Sequence, residues 1–311
     1  MKIGRFGAAN GDVSTGVLVD RDDGVHVLDL TRAAEAFGDP AAGLILCLIA
    51  GGNDLLERTY ALIERARRDG EDTWYHAPDS GRWALPCTPH TVLCAGRNFG
   101  RHDAESAKSW AARGDDATGQ REIPSGFTKI RASLVGDNAE VKRPDGLDTL
   151  DYEVEIAVVL GARAHNISEA DALDTVFGYT MFNDLSARAW QFQEMKNRMM
   201  MIGKNFPGAG PLGPWIVTAD EIPDPQTLDL SLTVNGEPRQ SSTCEDMIFS
   251  FAEMISFWSM LELEPGDVIA SGTPEGVAHA HKPDPQEWFL KPGDEVVASC
   301  SRIGDLTTHI V

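Results

Sequence analysis

Apolar and polar residues alternate with two different periods along this chain, and the difference sorts it into strands and helices. Residues 1–6, 13–20 and 25–30 alternate as short strands do, with Asp22-Asp23-Gly24 as a hairpin turn. Leu55, Leu56, Thr59, Leu62, Ile63 and Ala66 recur at helical spacing behind Asn53, a candidate N-cap, and Gly70 ends that helix. Residues 1–85 read as a small α/β domain, and the stretch after Trp83 leads into a larger domain over 86–311. There, Thr91 to Phe99 is a buried strand running into a glycine turn. Further helices are predicted over 167–177, with Ser168 as N-cap and Gly178 as terminator, over 188–201, and over 247–261. Residues 228–234 alternate cleanly into Asn235-Gly236, a strong type I′ hairpin signal, with 237–240 as the return. Many strands divided by glycine and proline turns predict an α+β fold, mainly β, with a mixed sheet rolled on itself.

One stretch breaks the pattern. Glu153 and Glu155 sit inside the run Val154, Ile156, Val158, Val159, Leu160, which leaves little room for a wet face. Residues i and i+2 of a strand share a face, so both carboxylates point the same way. A Glu-x-Glu pair is more often the solvated face of an edge strand; here its company says otherwise. Two like charges in a low-dielectric place repel, and each is costly to desolvate. Asp184 follows another apolar run after a helical segment. Three carboxylates with no thiolate or histidine at ligand spacing suit a hard cation: Mg2+, Mn2+ or Ca2+.

Other chemistry is scattered. His102 and Glu105 are one helical turn apart, where a carboxylate can orient an imidazole as a general base; an ordinary surface pair has the same spacing. Residues 106–126 are polar and glycine-bearing, a lid or an insertion at the mouth of a site. Lys204 lies between glycine and aromatic residues, as a buried electrophile or a surface cation would. Val268 to Gly276 is a strand opening into a glycine-rich loop, whose backbone N–H groups and Thr273 hydroxyl could meet an anion. The triplet Met199-Met200-Met201 reads as adaptable core, with a wall of the substrate pocket as the alternative.

Charge narrows the partners. Lysine plus arginine number 27 against 48 acidic residues, a net charge of −21, which argues against nucleic acid and anionic membrane. The five cysteines are scattered, with no Cys-x-x-Cys, as expected of free thiols in a cytoplasmic protein. No apolar stretch has the length of a membrane span, and the amino terminus has no signal-peptide core.

Taken in order, several blocks resemble the fumarylacetoacetate hydrolase family, whose members share a fumarylacetoacetase C-terminal domain. They are DYEVEIAVVLG at 151–161, GYTMFNDLSARAWQ at 178–191, GKNF at 203–206, PLGPWIV at 211–217, VNGEPRQ at 234–240, LEPGDVIASGTPEGV at 263–277 and LKPGDEV at 290–296. The resemblance covers residues from about 90 to 311 and implies a mixed β-roll, a homodimer and one Mg2+ or Mn2+ per subunit. It implies Glu153, Glu155 and Asp184 as metal ligands, His102 and Glu105 as a water-activating dyad, and Lys204 as an active-site lysine. Arg97, Arg188, Gln191 and Thr273 are expected at the substrate. Two departures stand out: Lys129-Ile130 where the family often has Lys-Pro, and Ala189 where it often has an acidic residue. The implied reaction is hydrolysis of a C–C bond in a small anionic 2,4-dioxo acid. Decarboxylation of a 2-oxo acid, enol–keto isomerisation and sugar-acid dehydration are alternatives on the same metal site.

Overall fold

The apolar run after Glu153 becomes a strand, Val154–Leu160, buried at every position. Its two neighbours explain why. Val176–Asn183 pairs along one edge, from Val154 opposite Asn183 to Leu160 opposite Val176, and Val268–Ala270 pairs along the other. Both faces are covered as well: Val154, Ile156, Val158 and Leu160 enter one apolar cluster, and Ala157 and Val159 another. A strand paired on both edges and packed on both faces has no place for the usual polar alternation.

In the computed structural model, which describes residues 1–8, 11–111, 122–281 and 283–311, this strand lies within a twelve-stranded mixed sheet. A second sheet of five strands carries Glu237–Thr243, Asp229–Val234, Glu295–Cys300, Gly304–Ile310 and Ala139–Val141 in that order. The expected strand-rich α+β architecture is the one observed. The amino-terminal strand Lys2–Ala8 pairs with Gly210–Thr218, placing Lys2 opposite Val217 and Ile3 opposite Ile216. The sheet therefore runs on from the first residues into the centre of the chain, and Met1 and Ile3 share a core with Ala157 and Val159. Among the described residues, no helix is long and apolar enough to cross a membrane.

Several helices differ from their sequence expectation. The first long one is Gly52–Asp69, so Asn53 lies inside it and no side chain caps its start, while Gly70 does end it. Ser168 caps a helix as expected, accepting from the Asp171 N–H, but that helix is only Glu169–Ala172. Phe177 and Gly178 belong to the strand Val176–Asn183 instead. Gly178 is needed there because a Cβ would meet the Val217 carbonyl oxygen at 2.3 Å. The helix expected over 188–201 stops at Lys196, and a turn with Arg198 at φ 59° leads to the short helix Ile202–Asn205. Met199 and Met201 are 67% and 55% exposed, so the methionine triplet is not core. The expected amphipathic helix narrows to Phe251–Trp258, held by a Ser250–Glu253 capping box. Asn235 and Gly236 both take positive φ, 52° and 78°, as a type I′ hairpin requires. Residues 112–121 of the expected lid lie outside the described residues.

Candidate metal centre and the cavity above it

Strand register builds the acidic cluster. Because Val154 stands opposite Asn183, the residues just outside the pair, Glu153 and Asp184, become neighbours. The Asp184 N–H donates to the Glu153 carbonyl at 2.9 Å, and the Glu153 N–H donates to Asn183 Oδ1 at 3.0 Å. Glu155 follows on the same face. One oxygen from each of Glu153, Glu155 and Asp184 lies within 4.8 Å of the others, and the three residues are 5%, 1% and 1% exposed.

The cations around them are unevenly shared. Lys204 Nζ donates to Glu153 Oε2 at 2.6 Å and Asp184 Oδ2 at 2.5 Å. Arg188 Nη2 reaches Glu153 Oε1 at 2.5 Å. Lys129 Nζ lies 2.7 Å from Asp184 Oδ1 and donates to the carbonyls of Lys204 and Ala209 at 2.5 and 2.8 Å. Glu155 has only a backbone donor, the Gly272 N–H at 3.0 Å, and no cationic side chain at ion-pair distance among the described residues. The pKa values follow. Burial works against the charge of Glu153, yet Arg188 and Lys204 outweigh it and hold its pKa below the carboxylate range. Burial, then the Asp184 and Glu153 charges, push Glu155 well above that range. Lys204, despite burial, is held above the ordinary lysine value by Asp184 and Glu153, so it stays an ammonium.

An all-oxygen, all-carboxylate donor set with one member still lacking a counter-charge fits a hard divalent cation. The same set fits zinc or copper less well, for want of nitrogen or sulfur donors.

Above the cluster opens a cavity of about 280 Å3, whose lining includes Glu153, Arg97, His102, Arg188, Gln191, Lys204, Thr273 and His279. Every sequence-expected catalytic and substrate residue except Glu105 lines it, together with Glu153; Glu155 and Asp184 lie in the cluster beneath. His102, on the helix Gly100–Ala111, has Nδ1 3.4 Å from Glu105 Oε2. Arg97 sits in the left-handed region at φ 55°, with Nε 2.8 Å from Asp103 Oδ1. Arg188 begins the helix Arg188–Lys196 and is committed inward, to Asp151 Oδ2 at 2.7 Å, Glu153, and Gln191 Oε1 at 2.9 Å. Thr273 is fixed by Gln240, whose Nε2 donates to its Oγ1 at 2.8 Å while Oε1 accepts from the Val154 N–H at 2.9 Å. Gln240 thereby ties the glycine-rich loop to the glutamate strand.

Three groups escaped the sequence reading: the buried Lys129 and Asp151, and the half-buried His279. Lys129 closes the strand Gly126–Lys129 and is 3% exposed. Its signal was a lysine ending an otherwise strand-like segment, which spacing alone does not distinguish from a surface residue. Asp151 is fully buried, and Arg188 and His279 bring its pKa down to about 2 against the opposing effect of burial.

Residues 91–311 match the family described as Fumarylacetoacetate (FAA) hydrolase C-terminal. A fumarylacetoacetate hydrolase domain-containing protein 2 homolog of Dictyostelium discoideum is 37% identical over 234 residues, 72% of each chain. Among solved structures, fumarylacetoacetate hydrolase from Exiguobacterium antarcticum superposes with a TM-score of 0.75 at 31% identity, covering 100% of this chain and 99% of that one. The 5-carboxymethyl-2-hydroxymuconate delta-isomerase from Mycobacterium smegmatis gives 0.72 at 25% identity, covering 100% and 98%.

Proposed function

Since this chain belongs to the fumarylacetoacetate hydrolase C-terminal family, we propose that it is a divalent-metal-dependent hydrolase of 2,4-dioxo acids. The supporting observation is the juxtaposition of a buried three-carboxylate cluster with a carboxylate-backed histidine on one cavity. Glu153, Glu155 and Asp184 would hold the cation, Mg2+ or Mn2+, which when bound supplies Lewis-acid polarisation of the substrate's oxo and carboxylate oxygens.

The chain's own groups do the rest. With Nδ1 turned to Glu105, the other ring nitrogen of His102 takes a proton from water, and the resulting hydroxide adds to the 4-carbonyl. The C3–C4 bond then breaks, and its electron pair passes into the three-carbon fragment as an enolate. Return of the proton to C3 gives pyruvate or a related 2-oxo acid, and the other product is a carboxylic acid. Lys204 spends two donors on Glu153 and Asp184, and its ammonium form has a third to stabilise the enolate oxygen. Arg97 supplies a fixed cation at the same cavity for the substrate carboxylate.

Isomerisation of an enol–oxo acid is the second reading, favoured by the likeness to the Mycobacterium smegmatis isomerase. One assay separates the two: short 2,4-dioxo acids and 2-oxo acids incubated with Mg2+ or Mn2+, with products identified by mass spectrometry. Pyruvate plus a shortened carboxylic acid supports the hydrolase. A product with an unbroken carbon chain, or no turnover of any dioxo acid, sinks it.

A further inference from the structure

The cavity holds a second carboxylate-backed imidazole. We propose that His279 sets substrate choice, selecting 2,4-dioxo acids whose acyl arm carries a hydroxyl group; this rests on the hydrolase reading above.

The argument begins at Asp151. Its buried carboxylate accepts from Arg188 Nε at 2.7 Å, from the Ala278 N–H at 2.7 Å and from the His279 N–H at 3.2 Å. It also lies 3.2 Å from His279 Nδ1. An ionised carboxylate only accepts, so Nδ1 carries the proton and Nε2 of the neutral ring carries a lone pair. Burial first, and then the charge of Arg188, hold the ring below the ordinary histidine range, which keeps it neutral near neutral pH.

Nε2 therefore accepts hydrogen bonds. It engages no protein group among the described residues, and the ring lines the cavity. Phe192 packs edge-on at 5.6 Å between ring centroids, so the ring is held on two sides. Phe192, Met195 and Met200 give the adjoining wall an apolar character. An apolar wall with one fixed acceptor fits an acyl arm bearing one donor. The anionic end of the substrate has no use for it, since a carboxylate also only accepts. A site built to accept from a hydroxyl discriminates against the analogue that lacks it, because the acceptor is then left unpaired.

The test uses the full-length protein loaded with Mn2+ and short straight-chain 2,4-dioxo acids, each paired with its ω-hydroxy counterpart. In the wild type, kcat/KM for the preferred hydroxylated member is expected to exceed its parent by ~10–100-fold. In His279→Leu that ratio falls to near one, and in His279→Gln, which keeps an acceptor oxygen, it is partly retained. Thermal melting of both variants checks that they fold. A wild type that cleaves the parents without favouring any hydroxylated acid overturns this inference and leaves the hydrolase reading standing. So does a ratio unchanged in His279→Leu, with both substrates slowed alike. A wild type that cleaves no dioxo acid overturns both.

Discussion

Replacing Glu155 with Gln should move the metal-free and metal-loaded proteins in opposite directions. In the metal-free protein Glu155 is buried beside Asp184 and Glu153 with no cation at ion-pair distance among the described residues. Two carboxylates at 4.8 Å, the outer limit of the cluster, repel by about 3 kcal/mol at an effective dielectric of ~20. Glu155 avoids that cost by holding a proton above the ordinary carboxylate range. An acid whose folded pKa is raised contributes stability that is fully present below its unfolded pKa and is lost as pH rises through the folded value. The slope is about 1.4 kcal/mol per pH unit between the two. The amide of Glu155→Gln carries no such charge, keeps an oxygen for the Gly272 N–H, and gives its own N–H groups to the neighbouring carboxylates. Metal-free Glu155→Gln is therefore expected to equal or exceed the wild type in stability, by a margin that widens with pH over that window. With Mn2+ the order reverses. At a hundredfold excess over Kd the wild type gains about 2.7 kcal/mol, whereas the variant, short of one ligand, binds at least ~100-fold more weakly. Urea denaturation in EDTA and in Mn2+, at several pH values, reads both effects. A metal-free variant more than about 1 kcal/mol weaker than the wild type would refute the charge argument. A variant that keeps the full Mn2+ gain would refute Glu155 as a ligand.

Three further outcomes are expected. Lys129→Met should cost about 3–5 kcal/mol in urea unfolding, because Asp184 loses one of its two cations and the Lys204 and Ala209 carbonyls lose their donor; a loss under about 1 kcal/mol would mean that Lys129 is not holding Asp184. His102→Ala should lower kcat by ~100-fold or more while Mn2+ binding, followed by electron paramagnetic resonance, stays intact; near-normal turnover would remove His102 as the base. Asp151 and Glu153 have folded pKa values below their unfolded ones, so the stability they contribute is present above the unfolded values and lost as pH falls toward about 2. Acid titration of Asp151→Asn by circular dichroism should show a shallower loss between about pH 4 and pH 2 than the wild type, and an unchanged profile would contradict this.

Most of the strands announced themselves, because burial on one or both faces writes a short-range signature. Val154–Leu160 is apolar at every position except Glu155 since it is covered on both faces, and Asp229–Val234 alternates since it is covered on one. Asn235-Gly236 specified its hairpin through positive φ at two adjacent residues. Helix limits were less legible. Phe177 ends a helical pattern by local spacing and Gly178 reads as its terminator, and it is the pairing of their strand with Val154–Leu160 and Gly210–Thr218 that makes both extended.

The acidic side chains of the candidate metal centre were readable because charged groups inside apolar strands demand an explanation, and a family likeness supplied the ordered blocks. Several of the contacts that hold the site together were not readable. Lys129 meets Asp184 across 55 residues, His279 meets Asp151 across 128, and Gln240 meets Val154 across 86. Contacts at such separations leave no periodicity behind, since they are set by which strand lies beside which and in what register. The amino acids alone determined that three carboxylates would be buried. Their closeness to one another, the one left without a counter-charge, and the imidazole turned toward the cavity were decided when the strands paired.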